Sequence, residues 1–223
     1  MEPVILWRNG EAVCCVKPAG VLSERSGMPD RLEEMLSGTV YCVHRLDKSV
    51  GGVMIYARSG KAAARLSEGL AGRSVHKLYL AVVHGRPAEP LGMLRDLLYH
   101  DPASNKSFVV MRPRRGVRQA ELRYELLQSA ETDSGLFSLL RIELLTGRSH
   151  QIRVQFASRK MPLVGDGRYG SPIRLGGPAL WSTALRFDDP LPGAPAFFSA
   201  LPPAEWPWTL FSIDQSAVEV SAV

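Results

Sequence analysis

The chain has 223 residues, 45% hydrophobic and 22% charged, the balance of an ordinary globular protein that needs neither a disulfide nor a structural metal to fold. No apolar run approaches the ~20 residues of a membrane helix, and the N-terminus lacks the apolar core of a signal peptide, so a cytoplasmic protein without membrane contact is expected. The formal charge of +5 suits a polyanionic partner without requiring one, and Cys14, Cys15 and Cys42 lack the C-x-x-C spacing of a zinc knuckle and suggest buried thiols in a reducing compartment.

Residues 4–8 and 11–17 read as strands around a tight Asn9-Gly10 turn. Lys17-Pro18-Ala19-Gly20 ends the second strand, because proline cannot donate to a ladder. A short helix is expected over 29–37 with proline at its start. Residues 50–57 form a buried strand. Ser59 should cap a helix running through Ala71, with Ala63, Leu66 and Leu70 on its apolar face. Residues 75–84 are β-rich. The stretch 86–118 reads as irregular and holds Arg112, Arg114, Arg115 and Arg118. Strands are expected over 119–128 and 136–146, a helix over 150–158, and a last strand near 179–188. The order of elements is α+β, a mostly antiparallel mixed sheet flanked by helices, in one domain spanning 1–223.

Chemistry concentrates in four segments. His44-Arg45-Leu46-Asp47-Lys48 crowds ionisable groups ahead of an apolar strand, although a lone Asp-Lys-Ser turn is equally a solvated loop. In Lys77–Gly85, alternation puts Lys77, Tyr79 and Ala81 on one face, where Tyr79 could equally be a core aromatic. Thr146–Arg153 passes from strand to helix through Gly147 and packs many hydrogen-bonding side chains together, as a charged helix start also would. Pro162–Gly170 carries three glycines, in keeping with a close backbone approach or a turn-rich loop.

In this order and spacing the segments resemble the RluA-type RNA pseudouridine synthases. That family's pattern is N-K-P-x-G, H-R-L-D-x-x-T-S-G, K-x-Y-x-A-x-V-x-G, G-R-x-H-Q-I-R-x-H and P-I-x-G-D-x-x-Y-G. Here the pattern falls at 16–20, 44–52, 77–85, 147–155 and 162–170, and the likeness covers about residues 3–187. Three positions depart from it: Val16 replaces the asparagine, Ser49-Val50-Gly51 replaces T-S-G, and Gln155 replaces the last histidine. No N-terminal S4-like RNA-binding module is expected, since the first strand begins almost at Met1.

The resemblance implies a pseudouridine synthase catalytic fold with a central RNA-binding cleft, acting on ribosomal or transfer RNA; a monomer is the default expectation, and the lack of a nucleotide-binding glycine fingerprint and of metal-ligand spacing suits chemistry with no cofactor and no metal. It implies Asp47 as the catalytic carboxylate, Tyr79 as the tyrosine that stacks on the base, and Arg153 as the cation paired with Asp47. Arg45 becomes the wedge that fills the stack when the target base flips out, or else a phosphate contact. His44 is an orienting partner, and Arg148, His150 and Gln151 complete the RNA-facing set. The 112–118 arginines either line the RNA path or form a solvated loop. Two other readings are a metal-dependent hydrolase using His44, Asp47, His150 and Asp166, and an RNA-binding protein that keeps the fold without the chemistry.

Overall fold

The computed structural model describes residues 2–218. In chain order the strands and helices are β1 Val4–Arg8, β2 Ala12–Lys17, α1 Met28–Leu36, β3 Tyr41–Cys42, β4 Gly51–Ala57, α2 Gly60–Gly72 and β5 Val75–His84. They continue as β6 Leu91–Asp101, β7 Lys106–Val110, β8 Val117–Thr132, β9 Gly135–Leu144, α3 Gln151–Ala157, β10 Leu180–Phe187 and β11 Phe197–Ser199. The chain divides into two compact units, residues 1–78 with 181–201, and residues 79–180 with 202–223.

In the first unit the strands run in the order β1-β2-β4-β10, with β3 also on β4 and β11 on β10. The pairs are antiparallel except β4 with β10, which is parallel and makes the sheet mixed. Every residue of β4 is buried, which explains its unbroken apolar sequence. Cys14, Val53, Ile55, Leu185 and Phe198 meet Ala62 and Leu66 of α2 in one core. Ala63 and Leu70 pack at its rim. Ser59 caps α2 as expected, its side chain accepting from the Ala62 amide at 3.1 Å. Cys14 and Cys15 point to opposite faces and are both fully buried, so both faces of β2 are covered. Burial raises the Cys15 thiol to about 12.

The turn between β1 and β2 is not the two-residue type expected, because neither Asn9 nor Gly10 has a positive φ. The Asn9 side-chain oxygen instead accepts from the amides of Glu11 and Ala12, closing a three-residue loop.

The second unit has the strand order β5-β9-β8-β6-β7. β8 runs the length of β9 with a bulge near Leu126, and β6 lies antiparallel between β8 and β7. The stretch expected to be irregular therefore contains two strands. Its sequence hides them because Arg95-Asp96 and Leu97-Leu98 break the alternation. The ladder of β6 is supplied on one side by the more distant β8 and on the other by its hairpin partner β7, and Asp101 closes the hairpin by accepting from the amides of Ala103 and Ser104. Leu98, Ala120 and Val154 form a small core there, with Val109 and Tyr169 against it.

Candidate active site

The His44–Val50 loop belongs to the first unit and is held along β4. One edge of β4 is paired with β2 from Gly52 to Ala57. On the other, β10 covers Gly51 and Gly52 while β3 covers Tyr56 and Ala57. The Ile55 amide lies between these stretches, and His44 takes it through Nε2 at 3.1 Å. An imidazole that accepts at Nε2 carries its proton on Nδ1. Burial, reinforced by the Lys77 charge, pushes His44 down to about 3, so the ring stays neutral at working pH. Gly52 has a φ of +123°, and a Cβ there would stand 2.2 Å from the Ser182 carbonyl, so the loop can meet the strand only through glycine.

Two further groups pin the loop. The Ser23 hydroxyl accepts from the Leu46 amide at 3.0 Å and donates to the Leu46 carbonyl at 2.9 Å. Lys17 is fully buried at the end of β2. Its ammonium donates to the carbonyls of Pro18 at 3.0 Å, Val21 at 2.7 Å and Lys48 at 3.3 Å. Burial pushes Lys17 down to about 8, against the upward pull of the Asp47 charge. Asp47 is thus a half-buried carboxylate on a loop fixed at Leu46, at Lys48 and at its own carbonyl, which accepts from Val50 at 2.9 Å. Arg45 is exposed and pairs with exposed Glu24 at 3.1 Å, a weak surface contact.

The second unit organises the other candidates around α3. Arg153 is 6% exposed and grips Asp166 with two bonds, Nε to Oδ2 at 2.7 Å and Nη2 to Oδ1 at 2.9 Å. Such a fork is the strong form of the ion pair, and both partners need it because both are buried. Gly165, just before Asp166, has a φ of +81°, and a Cβ there would meet the Gly177 carbonyl at 2.4 Å. The Arg153 guanidinium lies 5.1 Å from the centre of the Tyr169 ring. The Tyr169 hydroxyl accepts from the Ser107 amide at 2.8 Å and bonds His150 Nδ1 at 3.0 Å. His150 holds a φ of +55°, a left-handed conformation uncommon outside glycine.

Gln151 is 3% exposed and its amide is spent on its own loop. The oxygen accepts from Thr146 Oγ1 and the Arg148 amide, and the nitrogen donates to the Glu121 carbonyl. The Arg148 guanidinium is exposed and reaches the Gln119 carbonyl. Tyr79 is buried on β5. Gln155, which departs from the family pattern, is fully buried and donates to Asp96 at 2.7 Å.

The ligand set of the hydrolase reading does not form. His44 Nε2 is occupied by the Ile55 amide and Asp166 by Arg153. No group of three or more His, Cys, Asp or Glu that could hold a metal exists among the described residues. No helix among them is long and apolar enough to cross a membrane.

Three residues of this architecture were not singled out from the sequence. Lys17 appeared as a strand end and a motif position, Asp166 as a motif position and a metal ligand of the hydrolase reading, neither as an anchor, and Ser107 lay in the supposed irregular stretch. The available signal was a buried arginine, which requires a nearby acid, and the G-D-x-x-Y-G segment offered one.

A family profile described as RNA pseudouridylate synthase matches residues 11–158. The chain is 30% identical over 187 residues to tRNA pseudouridine synthase C of Haemophilus ducreyi, covering 76% of this chain and 75% of that one. It is 33% identical over 184 residues to ribosomal large subunit pseudouridine synthase D of Xanthomonas campestris, covering 77% of this chain and 53% of that one. The chain therefore spans between about half and three quarters of these relatives. The solved structure of human RNA pseudouridylate synthase domain containing 1 shares the fold, with a TM-score of 0.70, 21% identity and 91% coverage of each chain. With its α+β fold and the profile match over most of its length, the chain belongs to the RluA-type RNA pseudouridine synthase family.

Proposed function

We propose that this chain is an RNA pseudouridine synthase that isomerises a specific uridine of ribosomal or transfer RNA, with Asp47 as the catalytic carboxylate. The observation that carries the reading is the anchoring of the Asp47 loop at Leu46 and Lys48 by buried Ser23 and Lys17, alongside neutral His44. A loop that only turned the chain would have no use for a buried ammonium beside a carboxylate. The Asp47 charge in turn acts on the buried Lys17 ammonium.

The reaction breaks the N1–C1′ bond of uridine, turns the base and rejoins it through C5, with the C5 proton moving to the freed nitrogen. Asp47 acts at the sugar, as a nucleophile at C1′ or as a base at C2′, and is regenerated by either route. Tyr79 stacks on the target base, which contributes about 1–3 kcal/mol. Arg153, fixed by Asp166, serves as the cation of the reaction. Arg45 leaves Glu24 to fill the vacated stack. Arg148 and His150 face the RNA, while Gln151 positions them. The chain works as a cytoplasmic monomer without a cofactor or metal.

The test is pseudouridine mapping of total RNA from a strain lacking the gene, after treatment with purified protein in EDTA. The wild type restores one specific pseudouridine and Asp47→Asn does not. RNA binding by both with no pseudouridine from either would end the enzyme reading.

A further inference from the structure

Resting on the reading of the chain as an RNA pseudouridine synthase, we infer that Trp181 is a positioning residue for the reaction, which holds the exit of the Asp47 loop through the space that Gly51 leaves open. The anchors of this loop described above lie before Asp47 or within its turn: Ser23 on Leu46, Lys17 on Lys48, and the Val50 amide on the Asp47 carbonyl. Beyond Val50 the chain enters β4, and there β10 runs parallel to it. Trp181 stands opposite Gly51, and Ser182 stands opposite Gly52.

The two glycines are needed for different reasons. Gly52 has a positive φ and abuts the Ser182 backbone. Gly51 has no positive φ, and what it lacks is room. A Cβ there would run into Cζ3 of the Trp181 ring, and would stand 3.1 Å from Cε3 and from the Lys17 carbonyl oxygen. The indole is held against swinging aside. Its nitrogen donates to the Ala200 carbonyl at 2.8 Å, and that carbonyl also accepts from Thr183 Oγ1 at 3.1 Å. Ala200 is bound back to β10 in turn, its amide donating to the Thr183 carbonyl at 2.9 Å. The half-buried ring is thus a fixed wall against the backbone four residues after Asp47. Moving the wall moves the turn, and a misplacement of about 1 Å can cost about a hundredfold in rate.

The fit is particular to this chain. Counted residue by residue from His44, the T-S-G of the family pattern falls on Val50-Gly51-Gly52, one position later than Ser49-Val50-Gly51. The serine of that pattern is therefore the residue that Gly51 replaces, and a serine carries the Cβ that the Trp181 ring forbids. Gly51 and Trp181 form one coupled feature of the loop.

The test is a double-mutant cycle on Gly51→Ala and Trp181→Leu. It is read as kcat and KM for pseudouridine formation on the RNA mapped above, at a temperature where every variant is folded by thermal unfolding. Gly51→Ala should lower kcat about a hundredfold by pressing on the ring, and Trp181→Leu about tenfold by loosening the exit. Both should leave KM unchanged. The double variant should lose only about tenfold, because its Cβ no longer meets the ring, where independent effects would multiply to about a thousandfold. Trp181→Phe serves in place of a Trp181→Leu protein that does not fold, since the smaller ring also withdraws from Gly51. Losses that multiply in the double variant, or an unchanged kcat in either folded single variant, would overturn the inference and leave the enzyme reading standing. A raised KM with kcat unchanged would make the indole an RNA contact and would also overturn it. No pseudouridine from the wild type would end the enzyme reading and the inference with it.

Discussion

The Asp47 loop and the α3 segment are both fixed by buried cations, but in opposite ways. Arg153 is neutralised by a carboxylate that holds it with two bonds. Lys17 donates to three neutral carbonyls and feels the charge of Asp47. A guanidinium paired with an acid keeps its charge at any working pH. A buried ammonium among carbonyls has been pushed to about 8 and can lose its charge under mild conditions. The Arg153 anchor therefore keeps its charge, whereas the Lys17 anchor of the Asp47 loop can lose its own. Breaking each anchor should expose the contrast.

The largest effect is expected from Asp166→Ala. It leaves the Arg153 charge buried without its fork, at a cost of about 3–5 kcal/mol, read as a lower midpoint in urea unfolding. A loss below about 1 kcal/mol would mean that the pair is not structural.

Next is Lys17→Met, which keeps the volume and removes the ammonium. Displacing the loop should lower kcat by about a hundredfold while RNA affinity is unchanged. In the wild type the two signs of the pH response separate function from stability. Activity should fall as pH rises through about 8 and the ammonium is lost. Stability from the same group should rise between about 8 and the ordinary 10.5, because the unfolded chain binds the proton there and the folded chain does not. Lys17→Arg should abolish the alkaline fall in rate. Its persistence would assign that limb to another group.

The smallest effect concerns His44. Its folded value of about 3 lies below the ordinary 6.5, so its contribution is complete above 6.5 and is lost as pH falls toward 3. His44→Gln should flatten acid destabilisation across that window, by at most about 1.4 kcal/mol per pH unit. An unchanged acid limb would assign that destabilisation to other groups.

How far the sequence revealed each region follows the same division. The local parts were legible. Ser59 caps its helix, β4 is an apolar run with every residue buried, and the motif segments lie on loops, along β5 and at the start of α3. The long-range parts were not. β6 and β7 broke the alternation rule because their pairing comes from β8 and from each other. The partner of Arg153 lies thirteen residues away across a glycine turn. Lys17 reads as a surface lysine until β2 is seen to be covered on both faces, since buried lysines are rare and leave no periodic trace. Local rules found the positions where chemistry sits and missed the groups that hold them there.

The claim common to all of this is that the Asp47 loop is a preorganised support whose carboxylate does the chemistry. The most direct test is single-turnover pseudouridine formation at saturating RNA for wild type and Asp47→Asn, with thermal unfolding measured on both. The expected result is an unfolding midpoint within a few degrees of wild type and no detectable product from the variant. A folded Asp47→Asn protein that still forms pseudouridine would contradict it, and the catalytic group would have to be sought elsewhere in the chain.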